Sequence, residues 1–134
     1  MNHNEYEETG SKALRAAWEF PFPAQAVAKA AEQQRQHHAR RMAWWEKTAR
    51  TVEATLRKKG FEYREREVTG GARLEVVGDP ELVKRIGEAK RKIREHRESA
   101  RTYATWTRAL KTVSRRPGGQ PLQLTIGDIL FFGL

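Results

Sequence analysis

Between Pro23 and Lys59 a seam recurs at alternating steps of three and four residues: Ala28, Ala31, Arg35, His38, Met42, Trp45, Ala49, Val52 and Leu56. Between Pro80 and Arg116 the same spacing picks out Leu82, Ile86, Ala89, Ile93, His96, Ala100, Tyr103, Thr107, Leu110 and Ser114. A stripe sustained at this spacing is the signature of a helix that buries one narrow face, and two such stripes favour a coiled-coil-like pairing. The punctuation agrees. Pro23 suits a first helical turn and Gly60 a C-terminal cap, so the first helix is predicted over 23–59. Asp79-Pro80-Glu81 combines a side-chain cap, a first-turn proline and an acid at the positive end of the dipole, and Pro117-Gly118-Gly119 stops the second helix near Arg116. Each helix is roughly 55 Å long at the α-helical rise.

The segment between them, FEYREREVTGGARLEVVGD, has the alternation of strands around Gly70-Gly71. A two-residue turn there predicts a β-hairpin with Arg66 opposite Glu75 and Glu65 opposite Val76. Phe61, Tyr63, Leu74 and Val76 share one face, and Arg64, Arg66, Arg73, Glu75 and Val77 the other. A lone hairpin is marginal in water, so the Phe61 face is expected to rest on the helix ends near Leu56 and Leu82. The hairpin reverses the chain, so the helices are expected to run antiparallel, with Trp45 near Ile93, Ala28 near Leu110, and His38 within a turn of His96.

Trp44 and Trp106 fall outside both stripes. Terminal segments are the expected cover: Leu14, Trp18, Phe20 and Phe22 before the first helix, and Leu122, Leu124, Ile126, Ile129, Leu130, Phe131 and Phe132 after the second. LQL reads as a short strand, and Thr125 with Asp128 as a capping pair that opens one helical turn. The expected fold is therefore α+β and mainly α. A long antiparallel helical hairpin carries a small β-hairpin at one end and the terminal segments at the other. Residues 1–22 form an acidic, aromatic lead, 23–116 the helix–β-hairpin–helix domain, and 117–134 an apolar tail packed on the same domain.

Charge changes this picture from a scaffold to a surface. The 134-residue chain carries a net charge of +9, with 32% charged residues and a mean hydropathy of −0.83. Residues 79–116 hold twelve cations against five acids, and 21–60 nine against three. The stretch EAKRKIREHRESAR, 88–101, shows how the two roles share one helix: Ile93, His96 and Ala100 belong to the seam, and the cations around them exceed what a merely soluble face needs. Partners at i,i+4 are predicted for Glu88–Lys92, Arg91–Glu95, Arg94–Glu98 and Glu46–Arg50. They absorb only part of the excess. The candidate contacts for nucleic acid or an acidic protein are Arg40, Arg41, Lys47 and Arg50 on the first helix, and Lys84, Lys90, Arg91, Lys92, Arg94, Arg97 and Arg101 on the second.

Chemistry is sparse. There is no cysteine, so neither a disulfide nor a thiolate metal site exists, and a reducing cytoplasm is the expected compartment. The acidic N-terminus lacks the apolar run of a signal peptide, and no stretch approaches the roughly 20 apolar residues of a membrane span, so no membrane partner is expected. His37 and His38 are adjacent and point about 100° apart on a helix; His38 and His96 read as polar seam residues that fix register, with no third ligand evident and His3 apart in the tail. No nucleophile, phosphate-loop or zinc-binding motif occurs. No cofactor, no metal and no catalytic residue is expected, and the chain reads as a non-enzymatic binding protein. A helix-turn-helix, a zinc finger and an aromatic RNA-binding sheet are all absent, so contact with nucleic acid is expected to be phosphate-dominated and non-specific. Small size and composition suit an accessory protein of a phage or mobile element.

Two helices joined by a β-hairpin resemble, in outline, the subunits of prefoldin-type chaperones. That topology implies the other reading: an adaptor or chaperone-like subunit that acts through its hairpin tip or its aromatic C-terminus. Trp44, Trp106, Phe131 and Phe132 are then the protein interface, including that of a homodimer.

Overall fold

The computed structural model describes residues 19–134. Leu14, Trp18, His3 and the acidic stretch through Glu8 lie outside the described residues. The element order is β1 (Phe20–Phe22), α1 (Ala24–Lys59), β2 (Glu62–Val68), β3 (Gly71–Val77), α2 (Pro80–Ser114), β4 (Leu122–Leu124) and α3 (Ile126–Phe132). The described chain divides into two compact units, residues 19–36 with 100–134 and, separately, His37–Ser99. The division crosses both long helices instead of falling in a loop.

In the first unit α1 lends its small residues. Val27, Ala28, Ala30 and Ala31 are buried together with Leu110 of α2, Leu124 of β4 and Phe132 of α3, and Phe22, Leu122 and Ile129 pack around them. Three alanines keep this face of α1 low and leave room for the larger leucine and phenylalanine side chains. β1 and β4 pair antiparallel, Phe20 opposite Leu124 and Phe22 opposite Leu122. The strand LQL thus finds its partner in the Phe-Pro-Phe that opens the described chain. α3 begins as its sequence predicts: Thr125 accepts a hydrogen bond from the Asp128 backbone N–H at 3.2 Å, and the Asp128 carboxylate accepts one from the Thr125 N–H at 3.0 Å. Gly133 ends it in the left-handed conformation at φ 71°, where a Cβ would run into the Gln34 amide. α3 is tied to α2 by the Tyr103 hydroxyl, which donates to the Phe131 carbonyl at 2.5 Å beneath stacked rings 4.7 Å apart. Thr107, the buried polar residue of this region, spends its hydroxyl on the Tyr103 carbonyl at 2.8 Å, which removes the cost of an unpaired donor.

In the second unit the seam is thinner. Val52, Leu56 and Ala89 are buried, and Met42, Trp45, Ala49, Leu82, Ile86 and Ile93 are half-buried. The Trp45 indole Nε1 is buried without a hydrogen-bond partner among the described residues. Within this unit α1 and α2 run antiparallel, and His38 meets His96 with their Nδ1 atoms 2.9 Å apart. One nitrogen must donate and the other accept, so the contact requires both rings neutral or only one charged. Asp79 closes the start of α2 by accepting from the N–H groups of Glu81 (3.1 Å) and Leu82 (3.3 Å), and Lys59 bonds its other oxygen at 3.1 Å. Lys59 is the first cause, and the Leu82 N–H the second, that hold the Asp79 carboxyl below its ordinary pKa.

The β-hairpin differs from expectation in register. Arg64 lies opposite Glu75, Glu65 opposite Leu74 and Val68 opposite Gly71, two residues from the expected pairing. Thr69 and Gly70 form the turn, and Gly71, at φ 143°, already belongs to β3. A shift of two preserves which side chains share a face. Only the base of the apolar face is covered: Phe61 and Val76 are half-buried, whereas Tyr63 and Leu74 are 63% and 72% exposed. The base is tight. A Cβ on Gly78 would stand 2.9 Å from Leu56 Cδ1 and 3.2 Å from Phe61 Cβ.

Gly78→Ala is therefore expected to destabilise the protein by about 1–3 kcal/mol, the usual cost of overpacking, read as a lower midpoint in urea. The histidine pair predicts a pH dependence. Burial first holds both rings below their ordinary pKa; His96 and then His37 add to this at His38, and Arg41, Lys92 and His37 at His96, where Glu95 partly opposes them. A base depressed on folding stabilises fully above its unfolded value, 6.5, and that contribution is lost as pH falls through it toward the folded values. Thermal melts from pH 7.5 to 5 should show falling stability, and His38→Leu/His96→Leu should flatten that slope.

Candidate anion-binding surface

Ten of the eleven candidate cations belong to the second unit; Arg101 belongs to the first. On α2 the helical repeat aligns Lys90, Arg94 and Arg97 at i, i+4 and i+7, and all three are exposed. Lys84 and Arg91 form a second exposed row, seven residues apart, and Arg101 is exposed on its own unit. On α1, Arg40, Lys47 and Arg50 are exposed and Arg41 is half-buried. The seam explains this placement, because each of these residues lies off the narrow stripe that the fold buries.

The predicted i,i+4 ion pairs do not form. Lys92 instead approaches Glu95 at 3.8 Å, one residue closer along the helix. Arg50, Arg91 and Arg94 have no carboxylate within 4.0 Å among the described residues, and the same holds for Arg40, Lys47, Lys84, Lys90, Arg97 and Arg101. Exposed pairs gain little against side-chain entropy and screening, so the predicted spacing was permissive and not compulsory. The unit 37–99 has seventeen cations against eleven acids. The acids that do pair are spent elsewhere: Glu53 on Arg57, Glu62 on Arg64, Glu75 on Arg66 and Asp79 on Lys59.

Aromatic groups sit among these cations. Trp44 is 50% exposed, with the Arg41 guanidinium 4.9 Å from its ring centroid and Trp45 edge-to-face at 4.8 Å. A shallow groove of about 320 Å³ runs beside it, lined by Trp44, Lys47, Thr48, Thr51, Val52 and Arg85. The two threonine hydroxyls bond back to the carbonyls of Trp44 and Lys47, so they are satisfied within the helix. Arg85 is the functional candidate that the sequence analysis missed. It stands one heptad before Lys92, in the row flanking the seam, and that spacing was the available signal.

The other candidate interface residues separate. Phe132 is buried in the first unit's own core, and Trp106, 46% exposed, meets it edge-to-face at 5.8 Å. Phe131 is 38% exposed and Leu130 76%. Within the first unit Phe22, Leu124 and Phe132 pack together while Trp106 stays about half open. A second groove, of about 300 Å³, lies in the second unit between the hairpin and the start of α2, where Val68, Leu74 and Val76 face Val83 and Ile86 under a rim of Arg66, Arg73 and Lys90, with Glu75 beside Arg66 at 3.8 Å.

Among the described residues no set of three or more His, Asp or Glu is placed to hold a metal ion, and no helix is long and apolar enough to cross a membrane. In His38–His96 each Nδ1 is occupied by the other. Comparison of the chain with protein-family models, with curated proteins and with solved structures yields no match, so the surface is interpreted on its own chemistry.

Proposed function

We propose that this is a non-enzymatic binding protein that engages nucleic acid through phosphate contacts from the basic faces of α1 and α2. The observation that carries this reading is the exposed row Lys90–Arg94–Arg97, which has no carboxylate within 4.0 Å among the described residues. Cations held at helical spacing and left unpaired raise the local concentration of a polyanion and release its counterions on binding. Base edges are not read by such a surface, so affinity should be insensitive to sequence and steeply dependent on salt.

A second reading rests on the groove between hairpin and α2. Its apolar floor and basic rim suit an acidic protein segment with apolar anchors, which is the adaptor alternative, and the exposed Leu130 and Phe131 offer a further contact or a dimer surface.

Fluorescence anisotropy with random-sequence DNA and RNA tests the first reading. Binding at low salt should weaken steeply as salt rises, and Lys90→Ala/Arg94→Ala/Arg97→Ala should reduce the log–log salt slope by about one for each phosphate contact removed. Absence of binding to either nucleic acid at low salt would sink it. A nuclease-resistant partner, captured by the wild-type protein and lost on Leu74→Asp or Phe131→Ala, would favour the adaptor.

A further inference from the structure

Resting on the nucleic-acid reading, we infer that Trp44 is a stacking platform for an unpaired base, so that the α1 face of the second unit prefers single-stranded nucleic acid. Arg40, Trp44 and Lys47 stand at i, i+4 and i+7 on α1 and are all exposed. The indole is therefore flanked along the helix by a cation on either side, over about 10 Å of rise. Arg85 of α2 lines the same groove across from Trp44 and Lys47. A solvent-exposed indole between three cations is an arrangement with two complementary ligands in one molecule: a base for the ring and phosphates on either side for the charges.

Two details fit this occupant. The ring already carries a planar cation, the Arg41 guanidinium, 4.9 Å from its centroid. An exposed cation–π contact is worth less than a base stack. An incoming base displaces Arg41, and the released guanidinium joins the phosphate contacts. The other detail is rigidity: Trp45, half-buried in the seam, meets Trp44 edge-to-face and limits the indole's freedom before ligand arrives. A duplex, whose bases are already stacked on one another, offers the indole nothing and is held by the cations alone. An acidic protein would also answer the charges, but it carries no obligate planar group for the ring.

The test compares a labelled oligothymidine with a duplex of equal length on the full chain, at one salt concentration, with thermal melts confirming that each variant folds. Trp44→Ala should weaken single-strand binding by about 5- to 150-fold, the range for loss of one base–aromatic stack, and leave duplex binding within twofold. Trp44→Phe keeps a stacking ring and should retain most of the affinity while losing most of the tryptophan quenching that oligothymidine produces. If Trp44→Ala leaves single-strand affinity unchanged while Lys90→Ala/Arg94→Ala/Arg97→Ala lowers it, the platform is wrong and the basic surface stands. Equal losses on single strand and duplex would also overturn the platform. If the wild-type protein binds neither, both proposals fall together.

Discussion

Val52, Leu56 and Ala89 carry the second unit, and the basic surface depends on them. Fully burying a leucine or valine stabilises by about 1.5–3 kcal/mol, and this unit has few such groups to set against its surplus positive charge. Like charges on neighbouring helices repel, so a thin seam and a cationic exterior pull in opposite directions. The remaining half-buried positions, Met42, Trp45, Ala49, Leu82, Ile86 and Ile93, make the balance possible without widening the stripe. Had the buried face been broader, fewer helical positions would remain for lysine and arginine.

The first unit solves a different problem. Its portion of α1 is mostly alanine and valine at the buried positions, and the bulk comes from elements that arrive from the other end of the chain. Leu124 and Phe132 fill what the alanines leave open, and Phe22, just before α1, packs beside them. The capped seven-residue helix and the three-residue strand pair are too short to persist alone. They are held by the Tyr103–Phe131 hydrogen bond and by the apolar surface they share. Polar and apolar attachments thus meet on α2 within one turn.

Much of this was legible in the sequence because two periodicities and a few special residues express it directly. All the seam positions are buried or half-buried, and Pro23, Gly60, Asp79, Thr125 and Asp128 act at the helix ends where their chemistry places them. The hairpin register was not legible. Thr69-Gly70 and Gly70-Gly71 are both acceptable turns, and both glycines adopt positive φ, so parity was determined and pairing was not. The partner of LQL was obscured because Pro21 makes Phe-Pro-Phe a poor strand by propensity; as an edge strand it needs few N–H donors. Of the candidate surface, the identity of the cations was readable from helical rows. Their pairing was not, because exposed ion pairs compete on margins smaller than a spacing rule resolves. Arg85 was overlooked beside the seam, where it lines the Trp44 groove.

Among the described residues β2 and β3 pair only with each other, so each strand has one unpaired edge. Such an edge is a template on which another chain can crystallise its own backbone. Here Glu62, Arg64, Glu65, Arg66, Glu67 and Arg73 crowd both faces of the ribbon, and a second ribbon would have to strip water from them before any ladder could form. The alternating signs therefore act as a guard. Leu74 and Tyr63 can lie open to solvent without turning the protein into a seed for its own fibres.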